Sequence, residues 1–130
     1  CRAYAQPYEL TGDNSHPGVA IRSSSDIIVD AVVPRSSVGE VYSFVLDNIQ
    51  VAKDNLPIEN DVYATYYAAV ALEAAVRCQM HDYQAAYDLA DEVIASGQFM
   101  FAEEYPVYYT FPFISEETIF GIFTAPLANG

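Results

Sequence analysis

Basic residues are scarce in this chain. Five lysines and arginines stand against 18 aspartates and glutamates, for a formal net charge of -13. A surface that grips phosphates needs clustered Lys and Arg to neutralise them, and no such cluster exists, which excludes nucleic acid as a partner. Long apolar runs are missing too: none reaches the ~20 residues a membrane-spanning helix requires, and Glu73 interrupts the longest. There is no Ser/His/Asp arrangement, no nucleotide-binding glycine loop, no CxxC pair and no HExxH helix. These absences point away from an enzyme and imply no cofactor and no metal. Only two cysteines occur. Cys78 lies within a helical pattern and reads as a small buried hydrophobe, with pairing to Cys1 as the alternative. Neither an initiating Met nor a signal peptide opens the chain, so further sequence is expected upstream.

What is present is apolar: 52% hydrophobic residues, with 11 Tyr and 7 Phe, exclude a disordered segment. The most organised stretch runs from Tyr63 to Gly97. Tyr63, Tyr66, Tyr67, Val70, Ala71, Ala74 and Cys78 recur at spacings of three and four, the mark of one helix face. Leu72 and Val76 add a second stripe, leaving Thr65, Glu73, Arg77 and Gln79 for water. A helix so nearly apolar all round is one buried between neighbours. Met80-His81-Asp82 makes a polar corner, and Asp82 stands as N-cap of a second helix. That helix sets Tyr83, Ala86, Tyr87, Ala90, Val93 and Ile94 on one face, and Gln84, Asp88, Asp91 and Glu92 on the other. Gly97 then suits a left-handed C-cap.

Upstream, Ser37 and Glu40 form a capping box ahead of Val38, Val41, Tyr42, Val45, Ile49, Ala52 and Leu56. Glu40, Asp47, Gln50, Lys53 and Asp54 are left to face water, and Leu56-Pro57 ends the run. The patterns predict helices at 37–55, 61–80 and 82–96, with the central one covered on both sides. Short connections make consecutive helices antiparallel.

The flanks are less regular. Residues 1–10 read as the end of a helix stopped near Pro7, and the following TGDNSHPGV is turn chemistry. Ile27-Ile28-Val29 and Val32-Val33 read as short extended pieces lying on the helices. Residues 99–113 are aromatic and proline-punctuated, placed to cover the open helical face. A short strand is predicted at 118–123. It lacks an evident partner, which points to missing sequence downstream and to pairing with a second copy of the chain.

Candidate binding chemistry is sparse. Asp13, Asn14 and His16 could hydrogen-bond a sugar or help hold Ca²⁺, which takes oxygen ligands, but local Asx-turn bonding explains the Asp and Asn as well. Tyr105, Tyr108 and Tyr109 could form a platform for a sugar ring, or simply pack over the helices. Asp88, Asp91 and Glu92 share a face with no basic partner and read as a solvated surface. His81 suits a helix C-terminus. Glu73 and Arg77 form an i,i+4 pair that serves as scaffolding.

The 63–97 hairpin, with small residues where its helices cross, a tyrosine after the corner and a repeat of about 34 residues, resembles a tetratricopeptide unit. Over nearly the whole chain, the order of segments resembles the SusD/RagB family of outer-membrane nutrient-binding lipoproteins. The matching pieces are Arg2-Ala3-Tyr4, Gly18-Val19-Ala20-Ile21, Pro34-Arg35-Ser36-Ser37 with Val41-Tyr42, and Leu56-Pro57. They continue through the Ala-rich helix 64–76, Asp82-Tyr83 with Ala86, Ala90-Asp91, Val93-Ile94 with Ser96-Gly97, and Glu117-Thr118-Ile119-Phe120. Two departures stand out. Family members are several times longer, and Pro7 sits where a longer helical run is usual.

The resemblance implies an all-α, tetratricopeptide-like fold of antiparallel helix pairs with irregular loops and one short C-terminal strand. The chain 1–130 would be a single helical domain within a larger protein. It further implies a non-catalytic, surface-exposed outer-membrane protein, lipid-anchored far upstream of Cys1. Its partners would be a SusC-like TonB-dependent transporter and an oligosaccharide or peptide ligand. The other class left open is a self-standing tetratricopeptide-like module that binds a protein segment. In the first class this chain supplies scaffold and partner surface, and alone binds no glycan tightly.

Overall fold

The computed structural model describes residues 4–10, 12–23, 32–61, 63–101 and 117–121. Its regular elements are helices α1 (Val38–Asn55), α2 (Tyr66–Gln79) and α3 (Tyr83–Ala95), and no strand forms among the described residues. Helix α2 lies between the other two. Tyr42 near the start of α1 meets Gln79 at the end of α2, and Tyr66 at the start of α2 reaches Glu92 near the end of α3. Both neighbouring pairs therefore run antiparallel. No helix among the described residues is long and apolar enough to cross a membrane.

Each helix end has a local cause. Ser37 Oγ accepts from the Glu40 amide, and the Glu40 carboxylate accepts from the Ser37 amide, which completes the capping box. Helix α1 stops where Leu56, ahead of Pro57, turns to extended backbone at ψ 137°. The sequence pattern started α2 too early. Thr65 is its N-cap, accepting from the Ala68 amide, and Asn60 Nδ2 donates to the Ala64 carbonyl in the loop before it. Tyr63, assigned to the buried face, is 71% exposed in that loop. The α2–α3 corner is a Schellman turn: the Asp82 amide donates to the Arg77 carbonyl and the His81 amide to that of Cys78. His81 takes the left-handed position at φ 62°. Gly97, at φ 66°, does the same after α3.

Ile49 of α1 packs against Ala69 and Val76 of α2, with Tyr42, Val45, Leu46, Ala52, Leu56 and Met80 around them. Val38 and Val70 are fully buried, each removal from water contributing about 1.5–3 kcal/mol. Ala74 is half-buried, and Phe99 doubles back beyond α3 to set its ring edge-on to Tyr67.

Several expected burials are reversed. Glu73 was assigned to water and is buried, because Lys53 reaches it from α1 at 2.8 Å while Arg77 meets it from its own helix at 3.2 Å. Lys53, assigned to water as well, is mostly covered by that contact. Cys78 is exposed, on a side of α2 that neither neighbouring helix covers. On α3 only Val93 is buried; Tyr83, Tyr87 and Ile94 form an outer stripe, each about two-thirds exposed. Residues 4–10 are turns rather than helix, and Val32 and Val33 join no strand. Residues 118–121 carry no strand either, while 27–29 and 122–123 lie outside the described residues.

Burial alone would raise the Glu73 pKa, but hydrogen bonds and charge from Lys53 and Arg77 outweigh it and hold the carboxyl below its ordinary 4.5. The stabilisation from this lowered value is present above 4.5 and lost as the pH falls through the folded-state value. Glu73→Ala should cost about 1–3 kcal/mol in urea unfolding at neutral pH, by leaving Lys53 and Arg77 short of their shared acceptor. The gap to wild type should narrow in acid. Asp88→Ala, on the solvated face, should stay within about 0.5 kcal/mol.

Tyr66 makes the complementary case. Its hydroxyl donates to Glu92 at 2.7 Å, and this bond above all, then burial, pushes its pKa from 10.0 to about 12. Its contribution is full below 10 and fades as the pH rises towards 12. Ultraviolet titration should find Tyr66 ionising late, and Glu92→Leu should shift its ionisation towards lower pH while leaving that of Tyr42 in place.

Candidate functional site

Ahead of α1 the chain forms an arm, residues 4–10 and 12–19, laid over the helices. Residues 14–19 run antiparallel to 36–39, with a bridge between Pro17 and Ser37. The Val38 amide donates to the His16 carbonyl at 3.0 Å and the Gly39 amide to that of Asn14 at 3.0 Å. The Ser37 hydroxyl answers the Glu40 amide, and the Glu40 carboxylate answers the Ser37 amide. All four amides that a helix start leaves without an internal partner are thereby satisfied. Gly18 makes the approach possible: a Cβ there would meet the Ser37 carbonyl oxygen at 2.9 Å.

This architecture decides the role of the first candidate residues. Asn14 is buried at φ 57°, its side-chain oxygen accepting from the Glu9 amide. His16 is buried with its ring against the Pro7 carbonyl at 3.0 Å. Asp13 accepts from the Ser15 amide at 3.1 Å, the Asx turn that its spacing suggested. The three residues do come together, and their described contacts brace the arm. No cluster of His, Cys, Asp and Glu suited to a metal occurs among the described residues. Tyr105, Tyr108 and Tyr109 lie outside them.

The arm is held at further points. Tyr8 meets Tyr42 edge-on with ring centroids 4.9 Å apart, and Glu9 contacts the His81 ring at 3.0 Å. Between arm and helices runs an open groove of about 550 Å³, lined by Ala5–Tyr8, Tyr42, Ala75, Cys78 and Gln79. That size falls within the range of small-molecule sites. Burial, then the neighbouring Tyr8, pushes the Tyr42 phenol above its ordinary 10.0, so it stays neutral and able to donate. A second groove of about 460 Å³ opens across Ala5 and Gln6, towards Tyr4, Pro17 and Arg35. Among the described residues the first offers rings, amides and hydroxyls but no carboxylate or cation, which suits a neutral group. Sequence patterning missed both grooves, because each depends on contacts between residues far apart in the chain.

Gly18→Ala should loosen the arm by forcing the Ser37 carbonyl away. Hydrogen exchange at the Val38 and Gly39 amides should accelerate while amides in mid α2 keep their protection. Unchanged exchange at those two positions would contradict the capping role.

No family model matches the chain. It is 32% identical over 100 residues to a SusD-like protein of Formosa agariphila, a match that covers 75% of this chain and 19% of that one. A SusD superfamily protein of Bacteroides thetaiotaomicron superposes with a TM-score of 0.76 at 29% identity, over 89% of this chain and 26% of the solved one. A SusD superfamily protein of Bacteroides fragilis shares the fold at TM-score 0.73 and 23% identity, over 89% of this chain and 28% of its own. The chain thus spans about a fifth to a quarter of the length of these relatives. In sequence and in fold it is SusD-like, corresponding to a helical part of a SusD superfamily protein.

Proposed function

We propose that the chain forms the helical scaffold of a non-catalytic, surface-exposed outer-membrane protein that binds nutrients and passes them to a SusC-like TonB-dependent transporter. The ligand of the whole protein is an oligosaccharide or, in some branches of the family, a peptide, and a lipid anchor upstream holds it to the membrane. The observation that carries this reading is the match to a SusD-like protein at 32% identity over 100 residues. The TM-score of 0.76 to a SusD superfamily structure supports it. The chemistry of the described residues agrees. The first groove has aromatic and amide groups that suit binding, and Asp13, Asn14 and His16 are engaged in holding the arm. Tyr105, Tyr108 and Tyr109 remain proposed platform residues.

In this reading most of the ligand pocket comes from other parts of the protein. The 130-residue chain alone should then show no sub-millimolar affinity for neutral oligosaccharides in calorimetric titration. The whole protein should bind at least one, and should co-purify with the transporter encoded beside it. Tight binding by the isolated chain would overturn the scaffold role. Failure of the whole protein to associate with any such transporter would overturn the partner.

A further inference from the structure

Arg35 stands apart electrostatically. Its Nε donates to the Gly18 carbonyl at 2.6 Å, and its Nη2 donates to the carbonyls of Tyr4 at 3.1 Å and Pro17 at 3.3 Å. All three acceptors are neutral. The other paired cations behave differently: Lys53 and Arg77 both sit on Glu73, and Arg77 reaches Asp82 as well. Among the described residues no carboxylate lies within ion-pair distance of Arg35. Of the two acids nearest along the chain, Glu40 is committed to the Ser37 amide and hydroxyl, and Asp30 lies outside the described residues.

We propose that Arg35, with Tyr4 and Gln6, forms a binding site for a singly charged oxyanion, a carboxylate or sulfate group carried on a small ring-shaped solute. The guanidinium has five N–H donors, and the carbonyl contacts occupy Nε and Nη2, leaving the Nη1 protons for an incoming anion. Anchoring by the arm means the fork is already ordered, so little side-chain freedom is lost on binding. Hydrogen bonds from a guanidinium to an ionised oxygen are roughly twice as strong as neutral ones. Arg35 lines the groove of about 460 Å³, and Gln6 in the same lining brings an amide donor. The Tyr4 side chain, in that lining too, is 85% exposed and offers an aromatic surface for the body of the solute. A net charge of -13 disfavours dianions such as phosphate, which selects for the single charge. The site stands on this geometry alone; joined to the proposed nutrient role, it gives that role a preference for acidic over neutral solutes.

The test is a nuclear magnetic resonance titration of the chain, following the Arg35 Nε–H signal and the Tyr4 ring. Sodium glucuronate and a monosulfated glucose serve as probes, with glucose as the neutral control and sodium chloride matched for ionic strength. Saturable millimolar shifts are expected with both anions, and none with glucose or chloride. The two anion arms identify which group the site prefers. Tyr4→Ala should weaken both probes about fivefold, the worth of one aromatic contact. Gln6→Asp places a carboxylate in the groove without touching the anchoring carbonyls and should abolish binding, whereas Gln6→Asn should retain it. Shifts that merely track ionic strength, or undiminished binding by Gln6→Asp, overturn the site. Neither result bears on transporter association or on neutral ligands of the whole protein, so the two readings fail separately.

Discussion

A buried carboxylate sets the arrangement of the helices. Glu73 faces α1 and is met there by Lys53, while Arg77, one turn along, closes on its other oxygen. Arg77 continues to Asp82, whose side chain caps α3 at the Ala85 amide. One chain of charges thus runs from α1 through α2 to the start of α3. Its geometry tolerates little sliding, because a displaced helix would leave a charge desolvated and unpaired. The apolar contacts around Ile49 and Val76 supply cohesion, but side chains of this kind allow nearby registers that the ion network does not.

The arm depends on a second constraint, the hydrogen-bonding needs of a helix start. Helix α1 opens with four amides that require acceptors, and the carbonyls of Asn14 and His16 supply two of them. That demand pulls residues 14–19 alongside the helix, and the contacts of Arg35 and of Tyr8 with Tyr42 hold the remainder. The two grooves are consequences of this docking. Asp13, Asn14 and His16, candidate ligand binders in a turn-rich segment, also make contacts within the arm, and open surfaces arise where arm and helices fail to touch.

The outer face of α3 shows the limit of a single helical hairpin. Tyr83, Tyr87 and Ile94 stay largely exposed because the inner face of α3, through Val93 and the half-buried Ala86 and Leu89, is the one that meets α2. Helical repeats bury such second faces by stacking on neighbours. In the SusD superfamily structures that this chain resembles, most of the polypeptide lies beyond the matched part.

Local chemistry made much of the fold legible. The capping box at Ser37 and Glu40, the Asp82 N-cap, Pro57 as a stop and Gly97 as a left-handed terminator act within a few residues, and each appears as expected. The α1 face through Val38, Val41, Tyr42, Val45 and Ile49 follows from spacing alone, and so do the three helices, whereas the family was legible through a resemblance in the order of short motifs. Tertiary structure decided which apolar stripe is covered and which polar group is not left to water. Periodicity registers Glu73 as hydrophilic, and its burial is offset by Arg77 of its own helix together with a lysine 20 residues away. Cys78 and Tyr87 also follow a helical apolar spacing, yet both stay exposed. The candidate sites were the least legible for the same reason. Among the described residues Arg35 meets carbonyls 17 and 31 residues distant rather than a carboxylate, and a distance in space between such residues is not written in their spacing along the chain.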